Sequence, residues 1–109
     1  MTPKTKAPKH LRPETAAWYV TVCGEYQLED HHRRLLRLAA EAWDRCQQAR
    51  QALADNGMVY TDRFEAPRAR PEVSIERDSR IAFSRMIREL GLDLAEPEIK
   101  PPTIQPRTR

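Results

Sequence analysis

The sequence predicts a mainly α fold: an antiparallel helical hairpin with one long central helix, a short β-hairpin or extended loop, a third long helix, and flexible N- and C-terminal tails. Three observations predict it. Residues 28–56, LEDHHRRLLRLAAEAWDRCQQARQALADN, hold neither glycine nor proline, so nothing interrupts a helix that would run roughly 40 Å. Within that stretch Leu35, Leu36, Ala39, Ala42, Trp43, Cys46, Ala49, Ala52 and Leu53 recur at three-and-four spacing, the pattern of an apolar stripe that needs a partner. Two more stretches with helical spacing open behind a proline, at Pro13 and Pro71, and proline suits the first helical turn because its missing N–H is not needed there.

Taken in order, residues 1–11 carry Pro3 and Pro8 among Lys and Thr with no apolar period, which reads as a flexible basic arm. The first helix is expected over Pro13–Tyr26, with Glu14 at its positive end and Trp18, Val22, Cys23 and Tyr26 at helical spacing. Gln27-Leu28-Glu29 leaves room only for a tight turn, so the first two helices should run antiparallel, with Trp18 and Trp43 as the large residues to anchor them. Glu29 and Asp30 place negative charge in the first turn of the long helix, and Asn56-Gly57 supplies a residue able to close it. MVYT, then Asp62-Arg63, then FEA before Pro67, reads as a small β-hairpin or extended loop. A third helix is expected over Pro71–Leu90, with Val73, Ala82, Phe83, Met86, Ile87 and Leu90 on one side and Gly91 as its stop. Glu41 to Arg45 and Glu76 to Arg80 have the acid-before-base spacing that supports helices. From Ala95 the sequence EPEIKPPTIQPRTR, with four prolines, reads as an extended tail. The expected organisation is a basic arm over 1–11, one helical domain over 12–93 and a Pro-rich tail over 94–109.

Composition narrows the function classes. The net charge of +3 is concentrated: residues 1–13 carry Lys4, Lys6, Lys9 and Arg12 with no acid, whereas residues 28–56 balance five acids against five bases. A basic arm on a near-neutral body is not a uniformly basic nucleic-acid face. No apolar run approaches the ~20 residues of a membrane span, and MTPKTKAPKH lacks the apolar core of an export signal, so the cytoplasm is the expected location. Cys23 and Cys46 fall in apolar helical stripes, where reduced thiols behave as small hydrophobes. Some 80 residues between the tails make a thin core that often leans on self-association.

No catalytic constellation stands out. His31 and His32 are adjacent on a helix, so their side chains are expected to diverge by about 100° and not to share a metal. Two cysteines without matching histidines make no zinc site, and Gly24, Gly57 and Gly91 form no phosphate-cradling loop. Neither catalytic residues, cofactor nor metal is expected; the residues point to a helical binding or assembly module.

Four local patterns, in order, carry a resemblance. APKHLRPETAAWY is a Pro-containing leader followed by His-Leu and a helix with an early Trp; the long helix is entered at LED and carries Trp43; QALADNGMVYT is a helix end, a Gly and a short β-run; RPEVSIERDSRIAFSRMIRELGLD opens on Pro and ends in Leu-Gly-Leu. Spanning Pro8 to Asp93, this layout resembles the small subunit of the tailed-bacteriophage terminase, in the family usually encoded beside an HNH nuclease and a large terminase. Where that family commonly has His-Pro before the third helix, Arg70 precedes Pro71 here. The resemblance implies a noncatalytic protein of the bacterial host cytoplasm that forms a ring-like homo-oligomer, binds viral double-stranded DNA and passes it to the large subunit, which owns the ATPase and nuclease activities.

The residues add candidates for the DNA contact. Lys4, Lys6, Lys9 and Arg12 in the arm, repeated around a ring, could sum modest phosphate contacts through avidity, and Arg33, Arg34 and Arg37 at the start of the long helix form a second surface. The extended tail is a possible docking peptide for the large subunit. Two rival readings remain: a head-assembly adaptor without DNA contact, and a small helical transcription regulator. The second is opposed by the tight first turn and the length of the second helix, which do not suit a helix-turn-helix.

Overall fold

A computed structural model describes residues 6–92: α1 (Pro13–Glu25), α2 (Asp30–Asn56), β1 (Val59–Thr61), β2 (Pro67–Ala69) and α3 (Pro71–Leu90). The mainly α fold with a short antiparallel hairpin is the one the sequence predicts, and Pro13 and Pro71 each open a helix. The first helix stops at Glu25, where the Tyr26 N–H bonds back to the Val22 carbonyl at 3.1 Å. The long helix begins two residues later than expected because Glu29 takes extended backbone as its cap, its N–H donating to His32 Nδ1 at 3.3 Å. Gly57 (φ 82°) and Gly91 (φ 76°) close α2 and α3, conformations that side chains with a Cβ resist.

α1 packs antiparallel on α2 through Leu11, Tyr19, Val22, Leu36 and Ala40, of which Leu36 and Ala40 are wholly buried. The α2 stripe is read correctly at Leu36, Ala39, Ala42, Cys46 and Ala49, all buried, while Trp43 is 43% exposed. The two tryptophans do not anchor the hairpin against each other. Each meets Phe83 of α3, Trp18 at 6.0 Å and Trp43 at 5.1 Å between ring centroids, so the aromatic anchor joins all three helices. The small residues Ala39, Ala40 and Ala42 fill the buried side of α2, and Trp43, its largest side chain, sits at the rim.

The flexible arm expected over residues 1–11 is held at its C-terminal end. Leu11 is buried, Ala7 packs on the same cluster, and His10 Nε2 lies 2.7 Å from Glu41 of α2. Leu11 and Ala7 on the α1–α2 cluster, together with the His10–Glu41 contact, fix the segment. Lys4 and the tail over 94–109 lie outside the described residues.

α3 runs antiparallel to α2. Glu76 accepts from Arg50 at 3.3 Å and pairs with Arg80 at 3.5 Å, with the Cys46 thiol 3.7 Å away. The Glu76–Arg80 spacing is therefore used, whereas Glu41 turns from Arg45 to Arg37 (3.2 Å) and His10, since His10 is delivered to that side by the anchored Leu11. Cys23 and Cys46 are free thiols, and burial raises both above the ordinary thiol value. Only Ser79 of α3 is fully buried; Val73, Ala82, Phe83, Met86, Ile87 and Leu90 are half-buried.

Candidate nucleic-acid and assembly surfaces

Helical geometry places Arg34, Arg37, Glu41, Arg45 and Gln48 on one stripe of α2, at steps of three and four. Arm residues come to the same stripe. Arg12 and His10 line a shallow polar groove of about 250 Å³ together with Leu11, Glu41, Asp44, Arg45 and Gln48. Two carboxylates hold this arrangement. Asp44, 8% exposed, accepts the Arg12 backbone N–H at 2.8 Å and the Thr15 hydroxyl, so a negative charge from α2 caps the positive end of α1. Glu41 bridges His10 and Arg37.

Of the sequence-derived cations, Lys6, Lys9 and Arg12 are exposed on the arm side, and Arg34 and Arg37 join them on α2. Arg34 pairs with Asp30 at 3.1 Å with both side chains about four-fifths exposed, a pair that contributes little and breaks readily. Arg33 parts from the group: its guanidinium donates to the Leu28 carbonyl at 3.3 Å and acts electrostatically on Cys23 of α1. Arg45 is not among the sequence-derived candidates: the i,i+4 reading assigns it to Glu41, and the position of the arm shows it lining the polar groove.

Burial works to raise the Glu41 carboxyl, but hydrogen bonds from Arg37 and His10 outweigh it and hold the group below its ordinary value of 4.5. A carboxyl with a depressed folded value stabilises the fold above its unfolded value, and that contribution is lost as pH falls through the folded one. Glu41→Gln should therefore melt at a lower temperature than the parent at pH 7. The gap should close below pH 4.5, read by circular dichroism melts across pH.

His31 and His32 do not diverge. Their ring centroids are 4.1 Å apart, and Glu29, His31 and His32 offer donor atoms within 4.8 Å of one another. The Cβ atoms splay, but at the first turn no preceding helical turn blocks the rings from swinging together. These three could hold a cation. The structure shows them employed otherwise: His32 Nδ1 accepts the Glu29 N–H, at a helix end whose dipole opposes added positive charge.

The second surface is the hairpin. Val59 pairs with Ala69, Tyr60 with Arg68 and Thr61 with Pro67. The loop is closed by Asp62, which accepts the Phe64 N–H at 2.8 Å, the Ala66 N–H at 3.0 Å and Arg68 Nε at 3.0 Å. The Ala66 N–H first, then the Arg68 guanidinium, hold its carboxyl below the ordinary value. Glu65 takes φ 61° inside this loop. Arg70, the residue before α3, lies over the Tyr60 ring at 5.8 Å, with a buried Nε that has no partner among the described residues. Both strands are exposed throughout, and Met58, Val59, Tyr60 and Phe64 are exposed large apolar residues, Phe64 at 73%. A two-stranded sheet with open edges and apolar residues in water is a candidate association surface. Among the described residues no helix is long and apolar enough to cross a membrane.

Comparison with known proteins agrees with the layout. The family model described as "Phage terminase, small subunit" matches residues 20–97, from the middle of α1 through the hairpin to beyond α3. No curated protein and no solved structure matches the chain. The ordered helices, the open hairpin and the family match lead to one assignment: the chain belongs to the phage terminase small-subunit family.

Proposed function

We propose that this chain, as a member of a phage packaging family whose small subunits are generally noncatalytic, assembles into a closed homo-oligomer in the host cytoplasm, binds viral double-stranded DNA, and brings the large ATPase and nuclease subunit to the genome to start packaging. The observation that carries the DNA reading is the α2 stripe of Arg34, Arg37 and Arg45 with Arg12 beside it. From Arg34 to Arg45 the stripe covers about 16 Å of helix, the axial length of roughly five phosphates along one strand. Lys4, Lys6 and Lys9 extend the charge from the arm. Self-assembly is supported by the open hairpin and by the half-buried stripe of α3, which a second copy would cover.

The test has two readouts. Replacing Arg34, Arg37 and Arg45 by Ala should weaken DNA retention and flatten the slope of log affinity against log salt by about 3, with far-UV circular dichroism unchanged and only the small loss of thermal stability that follows from the missing Arg37–Glu41 pair. An unchanged slope would remove the stripe and favour the adaptor reading, which the carboxylate partners of Arg34 and Arg37 support. Tyr60→Glu with Phe64→Glu should shift the native mass from a large assembly to small species, measured by light scattering; an unchanged assembly would move self-association elsewhere.

A further inference from the structure

The aromatic junction leaves a groove that the function above does not use. Glu14 and Thr15 from the start of α1, Trp18, Trp43 and Phe83 line an open cavity of about 270 Å³. Its floor is apolar and aromatic, with two indoles set against one phenyl ring. Its rim carries Glu14, which makes no ion pair among the described residues. Grooves walled by indoles accept polyproline segments, whose pyrrolidine rings lie flat on aromatic faces and whose stiffness lowers the entropy lost on docking. An acidic rim selects a basic flank on such a ligand.

The chain contains a segment of this chemistry. Residues 100–109, KPPTIQPRTR, hold Pro101, Pro102 and Pro106 with Lys100, Arg107 and Arg109 and no acid. The family match ends at 97, so this segment lies beyond the shared part of the chain. Its starting point is suitable. Leu90 and Leu92 pack on the α1–α2 core, and Phe83 lies nine residues back along α3, about 14 Å at the helical rise. At about 3.1 Å per residue in polyproline form, five residues cover that distance, which brings Pro97 to the groove and leaves residues 98–109 to cross it.

We propose that the Trp18–Trp43–Phe83 groove is the docking site of the C-terminal segment of the same copy, residues 100–107, with prolines on the indoles and its cations facing Glu14. The occupancy covers an aromatic patch that would otherwise be open to water. It also makes the groove and the tail mutually exclusive with any other partner of either.

Trp18 and Trp43 are the only tryptophans, so fluorescence of the intact protein reads the groove directly. Pro101→Ser, Pro102→Ser and Pro106→Ser together should red-shift the emission and raise the acrylamide quenching constant about twofold as the indoles are uncovered, while far-UV circular dichroism stays unchanged. Glu14→Lys should do the same, and combining it with Lys100→Glu and Arg107→Glu should restore the parent value. Identical quenching in parent and proline variant overturns the proposal. A photo-crosslinker in place of Ile104 fixes the source. Crosslinks to α1 or α2 within one chain support it, and crosslinks that join two chains overturn docking in the same copy.

Discussion

Asp44→Ala should lower the melting temperature by roughly 10–20 °C, with the loss concentrated at the start of α1. The carboxylate is almost fully buried and answers two donors, the Arg12 N–H and the Thr15 hydroxyl. Removing it leaves both without their partner at a helix end that also loses a favourable charge. Hydrogen bonds to a charged group contribute about 1.5–3 kcal/mol, and for a domain of this size each kcal/mol shifts the midpoint by about 4–8 °C. Asp44→Asn keeps an acceptor but not the charge, so it should fall between. The signature beyond stability is local: amide exchange of residues 11–16 should accelerate more than that of α3. Uniform acceleration across all three helices would show that Asp44 supports the fold at large rather than the arm–α1 junction.

Leu36→Ala should be comparably severe. Among the described residues Leu36 is the one large side chain with no exposure, in a cluster with Tyr19 and Val22 of α1, Leu11 of the arm and Ala40 on its own helix. Truncating a buried Leu costs about 2–5 kcal/mol, the upper part where the site cannot collapse. Collapse is obstructed here because the neighbours sit on two antiparallel helices pinned at Asp44. Small domains hold only about 5–15 kcal/mol in total, so the variant should populate unfolded chain well below the parent midpoint. Thermal and urea melts read this, and a loss under about 1 kcal/mol would mean that the α1–α2 contact relaxes and is not a fixed core.

The elements were legible where the chain carries its own punctuation. Pro71 and Gly91 bound α3, Gly57 ends α2, and Asp62 marks the hairpin loop; each is a local choice that no distant residue overrides. The α2 stripe was legible for the same reason, save Trp43, whose exposure depends on what α3 brings opposite it. Asp44 was not legible, because on the helix it is one more acid beside Arg45, and its burial is decided by where a residue 32 positions earlier is placed. Arg45 and Glu41 were misread by the same route: the i,i+4 rule describes an isolated helix, and His10 arrives from outside it. The terminase resemblance rested on the order of elements rather than on any motif, and the family match covers that order from residue 20 onward, leaving APKHLRPETAAWY before it.

α2 runs 27 residues without a break and passes through Gly57 directly into β1. The arginine stripe starts one turn into it at Arg34 and its far end carries the hairpin, so a tilt about its N-terminus acts on a lever about 40 Å long. A tilt of 10° imposed at the charged end displaces the hairpin by roughly 7 Å, more than the separation of two paired strands. A contact made through the hairpin is consequently sensitive to how the arginine end is seated. Mechanical transmission along a single rigid rod needs no relay of side chains between the two ends.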